Sequence, residues 1–585
     1  MAFALTVKDI IKQIFPEGTS FETKRESWSE APAYPPDLFA ITGVLLQRAG
    51  VYQHIISAES GKKEEFPEKS ILISAKKRDA ILKAGMTWST PKTQSRIQKL
   101  WSSLENCNEP VYQTTNGKKQ KWWDIAFELL AIADEASKGA GYFIPKEDHQ
   151  NQSWVAKSAN ALLETGAPLN PRSRHIRHNN DAICSITSHL VNTDIVCVQP
   201  KSRTPEVGCS LRNISHYLSL LPPRGHMKVH WLTPPAVQAK EHSANLNLLL
   251  VPYPYKIENS WIKAKLICDE ADNGWGWFEI DQMWLSYHEK EFLNFIDALI
   301  EKARSLKGSI NGIVLPELSL SYASYEKLAE HLRDHYPNFD FLVAGTSQNC
   351  NEESGNFALA SHFYELETGK RAMATVSRPK HHRWSLDTSQ IQTYNLVSSF
   401  PASLASNAKW WEKIPLHQRR IHVNSLRNSS VFTAMICEDL ARSDPAHEPL
   451  RSVGANLVFV LLMDGPQLEW RWASRYSTGL AEDPGSSVLT LTSRALLERW
   501  NADKPDEEKS WSVGIWKDSK NRATPLECQQ DAQALLIELA GTSEVERTVD
   551  GRRGREAFCW TMVSGSPLEI RLDSKHEKLV KLFCE

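Results

Sequence analysis

The chain has 585 residues, more than a single hydrophobic core usually serves, so two or three domains are expected. Hydrophobic residues at 41% and charged residues at 24% describe a globular protein, and a net charge of -2 excludes a wholly basic nucleic-acid coat and an acidic tail. Ten cysteines without a C-x-x-C pair fit a reducing compartment better than a disulfide framework or a zinc knuckle. No window approaches eighteen uninterrupted apolar residues, and Met1 to Phe15 lacks a signal-peptide core, so a cytoplasmic protein with no membrane partner is expected.

In the first 240 residues, Lys76–Lys83, Gln94–Leu104 and Trp122–Ala136 carry apolar positions three and four residues apart, which predicts helices and a mainly helical N-terminal domain. Lys69, Lys76, Lys77, Arg78, Lys83, Lys92, Arg96 and Lys99 face a single acid, Asp79, and Arg172, Arg174 and Arg177 follow in 171–178. Such runs are either solvated helix faces or contacts for a nucleic acid, and a docking surface for a protein partner is the remaining reading. Proline and glycine punctuate Pro200–Pro223 around an amphipathic helix expected near Ser210–Leu221. Pro222, Pro223, Pro234 and Pro235 read as a linker, which puts a boundary near residue 240 and a second domain at 241–585.

That second domain opens on an apolar strand, Asn245–Tyr255. A helix follows at Glu289–Leu306, with Phe292, Phe295, Ile296, Leu299 and Ile300 on one face, and leads into the short apolar run Asn311–Leu318 that holds Glu317. Strand, helix and strand in succession predict an α/β sheet with covering helices. Segment Arg371–Val376 runs on to Lys380, and the β-branched run from Val431 turns polar at Cys437, Glu438 and Asp439. Asp503–Ser510 breaks the pattern, and Asp531–Ala540 reads as a further helix.

A strand-end cysteine taken alone is packing, and a Glu and a Lys at neighbouring strand ends make a salt bridge. Glu317, Lys380 and Cys437 together supply a base, a cation for an oxyanion and a nucleophile, which is what covalent acyl transfer needs. A thiol with an ordinary pKa of about 8.5 needs that company to react at neutral pH.

The motifs LPE (315–317), KHHR (380–383) and ICED (436–439) resemble those of the nitrilase (carbon–nitrogen hydrolase) superfamily. So do FLVAGTS (341–347), the N-x-A segment from Asn356 to Lys370, and GANLVFVLL (454–462). The resemblance implies an α/β protein with a nitrilase-like four-layer α-β-β-α sandwich over about residues 243 to 500. It implies Glu317 as general base, Cys437 as the thioester-forming nucleophile, and Lys380 with the backbone N–H of Glu438 as oxyanion donors. The substrate would be a small amide or nitrile, with no cofactor, and a homo-oligomer is expected. The ICED form is similar to that of the glutaminase domains of glutamine-dependent NAD synthetases, but no G-x-x-x-x-G-K-[ST] loop for an ATP-using half occurs in this chain.

One feature departs from the family pattern. A second Glu about ten residues after the Lys is replaced by SLDTSQIQTYN, with Gln390 or Gln392 in the neighbourhood and Asp387 and Glu412 the nearest acids. Either an acid from elsewhere substitutes or activity is weakened. Arg442, Asp464 and Arg475 follow the nucleophile and are either pocket walls for a substrate carboxylate or phosphate, or solvent-facing charge. His381 and His382 are adjacent on an extended segment, so they point to opposite faces and no metal is expected there. Pro200–Pro223 also resembles a segment of nitrilase-like domains attached to bacterial reverse transcriptases in anti-phage systems, although no Tyr-x-Asp-Asp motif is present. The second reading is therefore a recognition or assembly module of a defence system, with the N-terminal half binding nucleic acid or protein.

Overall fold

The computed structural model describes residues 5–20, 26–57, 70–112, 119–142, 190–205, 211–233, 245–268, 275–286, 289–366, 369–400, 409–427, 430–520, 522–545, 548–552, 556–563 and 565–585. The basic stretch 171–178 lies outside them, as does Lys69. The expected helices form at Ala75–Met86, Pro91–Glu105 and Lys121–Glu135, joined by Val7–Ile14 and Pro35–Arg48. Their apolar stripes meet in one core around Trp101, Trp122, Trp123 and Phe127. The helix expected near Ser210–Leu221 does not form. Its described part is a short 3-10 turn, Leu211–Ile214, and a strand, Leu218–Leu221, paired with Cys197–Pro200. The buried Asp134 carboxylate accepts the backbone N–H groups of His216, Tyr217 and Leu218, which satisfies these donors outside a helix.

The rest of the chain is a mixed α/β structure with two large sheets. In the first, strands run in the order 371–379, 354–365, 341–348, 312–314, 245–250, 534–545 and 556–562, and 568–570 pairs with 534–545. In the second the order is 524–527, 512–517, 487–491, 457–461, 430–436, 420–426 and 228–232. The sheets face each other: Phe341 of the first lies 5.0 Å from Phe432 and 5.5 Å from Phe459 of the second, ring centre to ring centre. Alternation along Leu248, Leu249 and Leu250 sends the outer two into this inter-sheet core and Leu249 to the opposite face. There it meets Phe292, Phe295 and Leu299 of the helix Glu289–Lys307 and Leu328 of the helix Tyr322–His335. Residues 228–232 pair with 420–426, so chain on the N-terminal side of residue 240 contributes a strand to the second sheet.

Residues 531–540 are not a helix. Ala534–Val545 is a strand between 245–250 and 556–562. Ala534–Leu536 are good helix formers, but Ala534 to Ile537 are all buried, and a continuous apolar run fits a strand covered on both faces rather than a one-sided helix. No helix among the described residues is long and apolar enough to cross a membrane.

A smaller sheet, in the order 385–386, 409–412, 275–280 and 262–268, lies beside the first two. One face packs Phe278, Leu386 and Trp410 onto Tyr394 and Phe400.

Candidate active site

Strand 312–314, parallel to 245–250, and strand 430–436 of the other sheet, parallel to 457–461, supply Glu317 and Cys437 just beyond their C-terminal ends. Glu317 is set by close backbone packing. Gly345 donates its N–H to the Pro316 carbonyl, and a Cβ at Gly345 would stand 2.5 Å from the Glu317 Cα. The next residue, Leu318, takes a left-handed φ of 53°, which turns the chain away sharply after the carboxylate. Lys380 follows the strand Arg371–Pro379 and donates its backbone N–H to Asn356 on the neighbouring strand. Cys437 sits between its strand and the short helical turn Glu438–Ala441 with φ 40° and ψ -111°. That conformation is costly for a residue with a Cβ and is anchored by the Cys437 N–H donating to Leu461.

The charged groups form a closed set. The Lys380 ammonium lies 2.8 Å from Glu317 Oε1 and 2.7 Å from Glu412 Oε2. The Asn356 amide donates to Glu317 Oε1 and to Glu412 Oε1, each at 2.7 Å, and the Trp384 N–H donates to Glu412 Oε2 at 3.1 Å. All are buried: Lys380 is 1% exposed, Glu317 3% and Cys437 5%. Glu412, at the end of strand Lys409–Glu412, is thus the second carboxylate that the segment 385–395 does not supply. Gln390 and Asp387 instead cap the helix Thr388–Thr393.

Burial pushes the Glu317 carboxyl up against the pull of Lys380, and Glu412 adds to the rise. Burial opposes charge on Lys380, but Glu317 and Glu412 outweigh it and hold the ammonium well above its ordinary value. The Cys437 thiol is raised well above its usual range by burial and by Glu317, with Lys380 acting the other way. The resting thiol is therefore protonated beside a carboxylate of increased proton affinity. Glu317 Oε2 accepts no hydrogen bond from the described residues, so it has capacity for that proton.

Behind this set lies a second buried cluster. Asp439 accepts the backbone N–H groups of His381 and His382, the His382 Nδ1 contact at 3.0 Å, and the Arg378 guanidinium at 2.9 Å. It ties the turn after Lys380 to the turn after Cys437. His381 bonds the Arg420 carbonyl, and burial with the nearby Arg378 pushes it down to about 3, so it is neutral.

The remaining predicted residues divide. Glu438 pairs its side chain with Arg442 at 3.3 Å near the surface, and Arg442 and Arg475 are exposed. Asp464 is buried within electrostatic reach of Cys437, where it adds to the rise of the thiol. Its carboxylate accepts from Tyr394, from Arg471 at 2.9 Å, from Trp472 at 3.0 Å and from the Gly465 N–H at 2.8 Å, so it organises the wall after strand 457–461. Asn356 was visible in the sequence only as the N of the N-x-A motif. Among the described residues one group of possible metal ligands converges, Asp134, Glu135 and His216, but the Arg552 guanidinium lies 3.0 Å from Asp134 and 2.8 Å from Glu135 and supplies the counter-charge.

No family profile matches the chain, and no curated protein matches it. Solved structures similar to it include members of the nitrilase, or carbon–nitrogen hydrolase, superfamily. Nit3 of Saccharomyces cerevisiae, from branch 10 of that superfamily, is 10% identical over 59% of this chain and 96% of its own, with a TM-score of 0.26. A carbon–nitrogen hydrolase of Helicobacter pylori is 12% identical over 58% and 94%, TM-score 0.25. XC1258 of Xanthomonas campestris, a CN-hydrolase superfamily protein with an arsenic adduct in its active site, is 11% identical over 58% and 93%, TM-score 0.24.

Proposed function

We propose that the protein is a thiol-dependent carbon–nitrogen hydrolase acting on a small amide or nitrile, with the two large sheets and their covering helices as a four-layer sandwich. The observation that carries this is the buried Lys380 held between Glu317 and Glu412 beside a cysteine on a strained turn. A structural salt bridge has no use for the second carboxylate, the shared Asn356 or the strained thiol. In the reaction on an amide, the Cys437 thiol gives its proton to Glu317 as sulfur attacks the carbonyl carbon. Charge then develops on oxygen and is met by the Lys380 ammonium and the Glu438 N–H. Glu317 returns the proton to the leaving nitrogen, the C–N bond breaks, and a thioester remains. Water, deprotonated by Glu317, attacks that thioester and releases the acid, and the proton goes back to Cys437. The chain before about residue 240, apart from strand 228–232 in the second sheet, is taken as a second unit, and the expected assembly is a homo-oligomer.

The full chain, incubated with primary amides including glutamine and with simple nitriles, should release ammonia, and added hydroxylamine should trap the acyl group as a hydroxamate. Cys437→Ala should abolish both while the far-UV circular dichroism is unchanged. Equal release by the two proteins would overturn the reading.

A further inference from the structure

The loop that follows Glu317 is held from outside its own sheet. Three successive backbone carbonyls, those of Leu318, Ser319 and Leu320, accept hydrogen bonds from the side chains of one segment. The Gln282 amide donates to Leu318 at 2.5 Å and to Leu320 at 2.8 Å, and the Trp284 indole N–H donates to Ser319 at 3.0 Å. The Gln282 side-chain oxygen accepts the Ser347 hydroxyl, so both ends of that amide are engaged and its orientation is set. Trp284 is buried, and its carbonyl accepts the Tyr253 hydroxyl at 3.0 Å, which anchors the segment in turn. Leu318 needs such support, because its φ of 53° is a state that a leucine does not keep unless its surroundings impose it.

The same segment continues the strand that sets Glu412. Phe278, on strand Trp275–Ile280, stands opposite Glu412 in the parallel pairing with Lys409–Glu412, and its carbonyl accepts the Lys413 N–H at 3.0 Å. Four residues further on, Gln282 reaches the Glu317 loop. The stretch 278–284 therefore grips the backbone around both carboxylates that share Lys380. Its bonds to the loop carbonyls bring no charge to the site, so what they add is placement. We propose that Gln282 and Trp284 are positioning residues for Glu317, keeping its carboxylate on the Lys380 ammonium. Their part in catalysis rests on the hydrolase reading, whereas the placement itself does not.

The test reads the carboxylate through the neighbouring thiol. Cys437 lies within electrostatic reach of Glu317, Asp464 and Glu438, which disfavour its thiolate, and of Lys380, which favours it. Alkylation of Cys437 by iodoacetamide is followed in the full chain by mass spectrometry of its peptide. Gln282→Met keeps the length and loses the donor, and Trp284→Phe loses the indole N–H. Each should raise the alkylation rate at neutral pH about 3- to 10-fold as the Glu317 charge moves off the thiol, and lower kcat for amide hydrolysis about 10- to 100-fold with KM little changed.

In a Glu317→Gln background neither substitution should speed alkylation further, because no carboxylate charge is left to displace. Tyr325→Phe removes buried hydroxyl contacts to Leu342 and Ser361 in the same core without touching the loop, and should lower the melting temperature with the alkylation rate unchanged. An unmoved rate in Gln282→Met and Trp284→Phe, or an equal rise in the Glu317→Gln background or in Tyr325→Phe, would overturn the proposal. A wild-type protein that hydrolyses no amide but shows these alkylation changes would uphold the placement and overturn only the hydrolase reading.

Discussion

Lys380 and Glu412 stand 32 residues apart in the chain and 2.7 Å apart in the structure, both buried, with the carboxylate also accepting from Asn356 and Trp384. The ammonium keeps its charge in this dry site because two carboxylates face it. Glu412→Gln keeps the shape and removes one of them. Hydrolysis should fall by about 100-fold with a loss of stability of about 3 kcal/mol, whereas alkylation of Cys437 by iodoacetamide should speed up, because Lys380 is less compensated and favours the thiolate. Unchanged alkylation would mean that Glu412 has no electrical influence on the thiol.

Gly345 is required by a close approach rather than by its own dihedral angles. Gly345→Ala would put a Cβ 2.5 Å from the Glu317 Cα, the Leu318 nitrogen and the Pro316 oxygen, all of them backbone atoms that cannot swing aside. Activity should drop by about tenfold or more as Glu317 is displaced, since small misplacements of a reacting group are costly. Gly225→Ala, where nothing lies within 4 Å, should have wild-type activity. The two activities, measured side by side with melting curves, check this.

Asp439 is held below the usual carboxylate range: burial pushes it up, but Arg378 and the adjacent histidines outweigh burial. A carboxyl lowered in the folded state contributes stability that is complete above its ordinary value and is lost only as pH falls through the lower folded one. Asp439→Asn should therefore cost about 3–5 kcal/mol at neutral pH, because Arg378 is left buried without its counter-charge. The deficit should shrink under strongly acid conditions. Denaturant melts of both proteins from neutral to acid pH measure it, and a deficit independent of pH would refute the assignment.

Glu135 shifts the other way. Burial pushes it up from 4.5 to about 7, against the attraction of Arg552. Between those values the folded state holds a proton that the unfolded chain has released, so stability should fall as pH rises from about 4.5 to about 7. Glu135→Gln should flatten that part of the stability curve. A variant curve parallel to the wild type across the window would contradict it.

Much of the proposed reactive set could be read from local sequence. Glu317, Lys380 and Cys437 each stand where a short apolar run turns polar, a pattern written within a few residues, and the helix at 289–307 follows from its own apolar stripe. Glu412 could be named only as a nearby acid. Nothing local in KWWE distinguishes the partner of a buried lysine from a surface charge, and its role comes from strand 409–412 pairing beside 275–280 and ending at Lys380. The strand at 534–545 reads as a helix until two neighbouring strands and two covered faces are present to bury it. Asp464 similarly became a fully engaged wall residue through Tyr394, Arg471 and Trp472, of which Tyr394 comes from 70 residues earlier. Residue types that react are chosen by short-range pattern, whereas the charges that surround them come from any strand that ends at the same point, and only the packing of the sheets selects which ones do.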